Sequence, residues 1–323
     1  MTLEMSCALA TSMSSPEHIR VAEQLGYKRA YLYDSPPLYP DVWMQLARAA
    51  DVTERIIIGP SGLIPSNRAL MTNASAISTL VGLAGQDRVS VAVGTGMSAR
   101  LAMGKRPMRW SDVTAYVVAL RALLRGEVAT WEDQPVRMLH DDGFAALPIE
   151  VEILLAVSGP KGIAAAREVG DGVFGGMEPV SAQFDRHPCL TFGTVLDPDE
   201  NPGSPRVLDA AGHFAAVTAH WGIEFGGLDE GFRDAAAWQA AYSDVPAGQL
   251  HLAVHKSHLV TINDRDRPFI DGRRLTELQL ALSPEGWCAK LRGLEAAGAT
   301  EVAYQPAGDI VTELERFANV WPW

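Results

Sequence analysis

The sequence predicts an α/β fold, a (β/α)8 TIM barrel with insertions after strands 4 and 7. Three observations predict it. Short apolar segments with the Val/Ile/Leu bias of strands buried on both faces recur between amphipathic stretches of helical period. Four such strand and helix pairs fill the first hundred residues, so the repeating unit is short and uniform. A length of 323 residues suits one α/β barrel better than a sandwich or a bundle. The whole chain, 1–323, is read as one domain. Eight strands with eight helical partners favour the barrel over an open doubly wound sheet.

Taken in order, Ser6 to Ala10 is the first strand, and Ser15-Pro16 opens a helix that Gly26 stops. Arg29 to Tyr33 is the second strand, ended sharply by Asp34-Ser35-Pro36-Pro37. A helix over Asp41 to Asp51 follows, then a third strand over Arg55 to Gly59 that Pro60-Ser61-Gly62-Leu63 terminates. Leu70 to Leu83 is helical, and Arg88 to Val93 is the fourth strand, closed by Gly94-Thr95-Gly96. Residues 97–150 interrupt the rhythm with one helix, Asp112 to Leu124, and a hairpin-like patch from Trp131 to Leu139.

The apolar run Ile153 to Val157 is too short for a helix and reads as the fifth strand. Ser158 to Gly162 break it, Lys161 to Val169 resume as a helix, and Gly172 to Phe174 is the sixth strand. Cys189 to Leu196 is the seventh, followed by a Pro-rich loop and a helix over Arg206 to Ala219. The second insertion, about 221–283, has weak periodicity with a helix near Phe232 to Tyr242. A helix over Pro284 to Ala297, an eighth strand over Thr300 to Tyr304 and a closing helix over Ile310 to Val320 complete the pattern.

A formal net charge of −12 argues against nucleic acid or an anionic membrane as the main partner, because both reward clustered Lys and Arg. Three cysteines far apart make neither a disulfide framework nor a metal knuckle. With no signal-peptide pattern and no bilayer-length apolar window, the expected location is cytoplasmic.

Ligands of such barrels sit at the C-terminal ends of the strands. In this chain those ends are Asp34-Ser35, Ser61-Gly62-Leu63, Gly94-Thr95-Gly96, Ser158-Gly159-Pro160, Gly175-Gly176-Met177, Gly193-Thr194 and Gln305-Pro306. They are small, hydroxyl-bearing and almost uncharged, which suits a flat phosphate-carrying cofactor pressed against backbone and suits a metal hydrolase poorly. A helix entered through Ser158-Gly159-Pro160 offers unpaired amide groups and a positive dipole end to a phosphate. Taken alone, this turn reads better as a capped turn with nothing bound, and the second bare spot at Gly175-Gly176 shifts the balance towards a site.

Tyr-Leu-Tyr-Asp-Ser-Pro at the second strand, Thr-Glu-Arg-Ile-Ile-Ile-Gly-Pro-Ser-Gly-Leu at the third, Asp-Arg-Val-Ser-Val-Ala-Val-Gly-Thr-Gly at the fourth and Val-Ser-Gly-Pro-Lys-Gly with Asp-Gly-Val-Phe-Gly at the fifth and sixth resemble the bacterial luciferase-like oxidoreductases. That resemblance implies an enzyme using reduced coenzyme F420, a deazaflavin, or FMN for hydride transfer or monooxygenation of a small organic substrate. It implies a non-prolyl cis peptide at Gly62-Leu63, positions beside the ring at Gly94, Thr95 and Gly96, a phosphate cradle of Ser158, Gly159, Pro160, Gly175 and Gly176, and further cofactor contacts from Ser61 and Met177. It also implies a homodimer packed through early barrel helices. Asp34 matches the family's acidic residue, which either orients the ring or relays a proton, or merely caps the next turn. Ser35 stands where the family usually has His, which removes the obvious general base.

Two patterns compete. Gly94-Thr95-Gly96-Met97-Ser98-Ala99 fits a dinucleotide fingerprint superficially, but Lys105-Arg106-Pro107 interrupts where a helix is required. His251, His255 and His258 would share a helical face and hold zinc, but Val254, Val260 and Ile262 lean away from helix and no carboxylate supports a metal. No metal is expected. His255 or His258 reaching the pocket as an acid or base is the better reading, with His258 placed beside Asp34 as the catalytic pair. The alternative function is a degenerate, non-catalytic flavin binder or dimer partner.

Overall fold

In the first strand Met5, Cys7 and Leu9 face the helix layer and Ala8 the barrel axis, and in the second Ala30 and Leu32 face the helices and Tyr31 the axis, the alternation of strands covered on both faces. The computed structural model describes residues 3–140, 144–180, 183–225 and 235–321. The barrel strands are β1 Glu4–Leu9, β2 Arg29–Leu32, β3 Ile57–Leu63, β4 Ser90–Gly94, β5 Glu152–Ala156, β6 Gly172–Phe174, β7 Pro188–Phe192 and β8 Glu301–Gln305. The longer helices are α1 Ser15–Gln24, α2 Val42–Val52, α3 Leu70–Ala84, α4 Trp110–Leu124, α5 Pro160–Val169, α6 Pro205–Phe225, α7 Pro284–Ala296 and α8 Ile310–Val320.

All eight strands are parallel, in the order β6-β5-β4-β3-β2-β1-β8-β7. The ends of this order meet through the main chain of Gly175, which donates to Pro188 O at 2.7 Å and accepts from Leu190 N at 3.2 Å. The barrel is therefore nearly closed. Its axis holds Ala8, Tyr31, Ala92, Leu154, Phe174 and Ala303, with Tyr31 and Phe174 edge to face at 5.1 Å. Its N-terminal end is sealed by ions: Arg186 reaches Glu301 at 2.6 Å and Glu152 at 2.7 Å, while Arg29 pairs with Glu4 and Glu301.

Three expectations are corrected. The predicted seventh strand, Cys189 to Leu196, is two strands broken at Gly193. Its φ is +124°, and a Cβ there would lie 2.5 Å from Leu280 O. Thr194–Val195 then pairs with Ala281–Leu282 in a separate sheet, and Thr194 Oγ1 bonds Glu313 and Arg206, away from the barrel mouth. Strict alternation also fails. Among the described residues no helix joins β6 to β7, and two of the longer helices, α6 and α7, lie between β7 and β8 together with the short helices of the second insertion. Finally, α4 is no insertion: it packs between α3 and α5 in the helical ring.

The hairpin of the first insertion is Ala129–Trp131 against Gln134–Val136. Its two-residue turn, Glu132-Asp133, has φ of 52° and 60°, the twist a tight hairpin requires. The second insertion packs Trp238, Tyr242, Ile262 and Leu275 against Phe192 of β7 and Phe214 of α6 in a separate apolar cluster. Of its predicted helix near Phe232 to Tyr242, Ala235–Ala240 is helical and 232–234 lie outside the described residues.

Candidate functional site at the barrel mouth

The C-terminal mouth is built by three strand tips that approach as bare main chain. A Cβ on Gly62 would lie 3.3 Å from Gly94 N and 3.6 Å from Ala156 Cβ, and one on Gly94 would lie 3.3 Å from the same methyl. This makes a shelf of backbone with a single methyl on it. A bulge in the β3–β4 register at Ser61 to Leu63 forms the shelf's edge, and the non-prolyl cis peptide is Ser61-Gly62, one bond earlier than the resemblance implied. Ser61 is buried beside the axis, whereas the Leu63 side chain turns outward into the core between sheet and helices.

Gly96 has φ +82°, and a Cβ there would lie 2.7 Å from Ile64 Cγ2, so only glycine lets the turn after β4 settle against β3. The carbonyl of Thr95 accepts from Met108 N, which ties this turn to the first insertion. Helix α5 starts through Gly159 in extended backbone, φ −136°, with Pro160 in its first turn and no side-chain cap on its amide groups. Ser158 is exposed there. No heavy atom lies within 4 Å of a Cβ built on Gly159 or on Gly176. Gly175, by contrast, faces His187 and Cys189, and Met177 packs on the second insertion's apolar cluster. Of the predicted cradle, Ser158, Gly159, Pro160 and Gly176 are open to a ligand.

Asp34 is 2% exposed and fully engaged. Arg68 bonds its Oδ1 at 2.7 Å, Ile64 N donates to its Oδ2 at 3.2 Å, and Asn67 reaches it at 3.4 Å. The carboxylate thus braces the tip of β3. His258, 160 residues beyond Ser98 in the chain, places Nε2 at 3.1 Å from Ser98 Oγ. Its backbone carbonyl accepts from Tyr39 OH at 2.6 Å, and Leu259 O accepts from Gln305 Nε2 at 3.0 Å. Residues 258 and 259 therefore touch connections that follow β2 and β4 and the tip of β8, bringing the second insertion across the mouth. Asp34 and His258 do not bond each other.

Burial pushes the His258 pKa well below its ordinary value, and His255, His220 and His213 add to this. Its ring is neutral at neutral pH. His251, instead of joining a metal set, packs beside Gly104, and no metal-capable group occurs among the described residues. Two buried polar atoms at the mouth have no partner, Tyr33 OH and Gln305 Oε1. Trp43 does not line the mouth; its Nε1 donates to Asn73 on α3. Sequence reasoning missed Ser98, Tyr33, Tyr39 and Arg68. All four stand within seven residues of the end of a strand, so that proximity was the available signal. A cleft of about 800 Å³ between α4 and α5, lined by Trp110, Val118, Lys161 and Glu168, lies on the flank and contains none of the mouth residues.

The family model for luciferase-like monooxygenases matches residues 13–185, more than half of the chain. The chain belongs to that family. The matched stretch holds every predicted cofactor position and Asp34 but not His258. Solved structures agree on the fold. The coenzyme F420 dependent tetrahydromethanopterin reductase of Methanopyrus kandleri is 16% identical over 98% of this chain and 97% of its own, with a TM-score of 0.67. An F420-dependent secondary alcohol dehydrogenase, in complex with an F420-acetone adduct, is 16% identical over 100% and 99%, with a TM-score of 0.68. The oxygenating constituent of 3,6-diketocamphane monooxygenase from Pseudomonas putida, in complex with FMN, is 12% identical over 99% and 96%, with a TM-score of 0.58. Among the described residues of this luciferase-like chain, no helix is long and apolar enough to cross a membrane.

Proposed function

We propose that this luciferase-like chain is an oxidoreductase that lays a reduced deazaflavin, F420, or FMN across the barrel mouth and acts on a small organic substrate by hydride transfer or monooxygenation. The observation that carries the reading is the pairing of a bare shelf at Gly62 and Gly94 with open backbone at Gly159 and Gly176. A flat ring needs the first, and a phosphate at a helix start needs the second. The residues present fit such a group. Ser158, Gly159 and Pro160 would hold the phosphate with the amide groups opening α5, and Ser61, Gly62, Thr95 and Gly96 would back the ring. The bound cofactor would supply the hydride or the activation of oxygen.

The chain's own residues supply positioning and proton handling. Asp34 fixes the β3 tip through Ile64 N and Arg68. His258, neutral and buried, exchanges a proton at Nε2 through Ser98. Leu259, over the apolar cluster of the axis, keeps water from the ring. F420 is placed before FMN because the two neighbours at TM-scores of 0.67 and 0.68 are named F420-dependent. A homodimer through the early helices is part of the proposal, supported by the exposed Met44 on α2 and Leu83 on α3.

Titration of the purified protein with F420 and with FMN, read by quenching of tryptophan fluorescence, tests this. Micromolar binding of one of them is expected. Binding of neither supports the second reading, a non-catalytic partner protein, which draws on Ser35 in place of histidine.

A further inference from the structure

We infer that Ser98, His258 and His255 form a proton relay leading from the barrel mouth into the second insertion. The inference rests on the functional reading above, in which His258 exchanges the reaction's proton. His258 Nε2 meets Ser98 Oγ at 3.1 Å, and its other ring nitrogen, Nδ1, meets His255 Nδ1 at 3.4 Å, with ring centroids 5.1 Å apart. Both histidines are buried, at 3% and 4% exposure.

Two Nδ1 atoms can share a hydrogen bond only when one carries a proton and the other a lone pair. When each ring carries one proton, the two take opposite tautomers. When His258 carries its proton on Nδ1, its Nε2 is a bare acceptor facing the Ser98 hydroxyl. When His255 carries the shared proton, His258 Nε2–H faces Ser98 instead. A shift of the shared proton switches one arrangement into the other when His258 Nε2 gains a proton and His255 Nε2 loses one in the same event.

The relay follows with its atoms balanced. A substrate proton bonds to Ser98 Oγ as the serine's own proton passes to His258 Nε2. The Nδ1–H bond of His258 breaks as an N–H bond forms on His255 Nδ1, and the proton on His255 Nε2 passes onward. One proton enters, one leaves, and no ring keeps a charge. The reverse sequence delivers a proton to the mouth.

The backbone is held for this purpose. Ser257 and Leu259, which flank His258, have φ of 62° and 58°, a left-handed conformation uncommon for any residue and an outlier for a bulky one. Tyr39 OH and Gln305 Nε2 pin the two carbonyls that this conformation turns outward. Among the described residues, the ionisable groups facing the pair include His213 and His220 from α6, the latter bonded to Asp266 at 2.8 Å, and Tyr39 from the β2–α2 connection. Three neighbouring imidazoles disfavour a charged His258, which suits a group that passes protons without storing one.

The test uses the full chain without cofactor, labelled with 15N-histidine, in which eight imidazoles are resolved by two-bond proton–nitrogen spectra. Opposite tautomers are expected at 255 and 258, with one shared N–H resonance that disappears in both His255→Gln and His258→Gln. His255→Gln keeps an N–H donor towards His258 but cannot pass a proton, so exchange of the His258 ring proton with water slows by about tenfold or more. Identical tautomers at both sites, or unchanged exchange in His255→Gln, overturns the relay. His255→Asn provides the same comparison if the first variant does not fold. F420 and FMN titrations of wild type and His255→Gln separate the two claims. Binding with unchanged proton exchange sinks the relay alone, and absent binding with opposite tautomers sinks the cofactor reading alone.

Discussion

Arg68 stands between two tips: its Nη1 lies 2.7 Å from Asp34 Oδ1 and its Nη2 lies 2.7 Å from Asp41 Oδ2. The Asp34 carboxylate is 1% exposed, while Asp41 also caps α2 through Trp43 N and Met44 N. One guanidinium thus binds the end of β2, the start of α2 and, through Asp34, the amide of Ile64. Removing it leaves a buried carboxylate without its cation. Arg68→Met is expected to cost about 3–5 kcal/mol in urea unfolding. Asp34→Asn, which keeps acceptors for Ile64 N, costs less. An equal loss in the two variants would show that the ion pair is not what braces the β3 tip.

Gly159 and Gly59 give opposite outcomes for the same kind of change. Gly159 has extended backbone and open space, so Gly159→Val changes the unfolding free energy by no more than about 0.5 kcal/mol. The proposed phosphate contact is lost with it, and F420 or FMN affinity falls. Gly59→Ala would put a methyl 1.6 Å from Ser90 O and separate β3 from β4. Loss of folding on expression is the expected result there. Undiminished cofactor affinity in Gly159→Val would remove this turn from the site.

Acid sensitivity should begin near neutrality. Burial pushes the His213 pKa down to about 4, and burial also lowers His187. These rings stay neutral in the folded chain while the unfolded chain protonates them below about 6.5. Stability is therefore complete above that pH and falls as pH drops from about 6.5 towards 4. His213 contributes up to about 3 kcal/mol of the fall. Thermal denaturation across this window should show it, and His213→Gln should flatten the slope; an unchanged slope would assign the loss to other groups.

Thiol chemistry separates the three cysteines. Cys7 and Cys189 are buried, with pKa values raised by desolvation, to about 12 for Cys189. Cys288 is half-buried and weakly bonded to Val320 O. Titration with a thiol reagent should find one reactive group in the native chain and three in denaturant.

Local pattern alone determined the barrel. Apolar runs of strand length and the Pro and Gly that stop them, such as Gly26 after the first helix, act over a few residues, so they are visible in a linear chain. The same locality placed the glycine tips at one end of the sheet, because parallel strands deliver their C-terminal ends together. Tertiary structure decided the rest. Whether Gly175 faces a ligand or closes the barrel depends on Pro188, and whether Cys189 to Leu196 is one strand depends on Leu280 pressing against Gly193. The meeting of Ser98 with His258 joins segments 160 residues apart, and no periodicity carries information over that separation. Contacts of that kind arise only when two insertions fold over one mouth, and they set which side chains face the proposed chemistry.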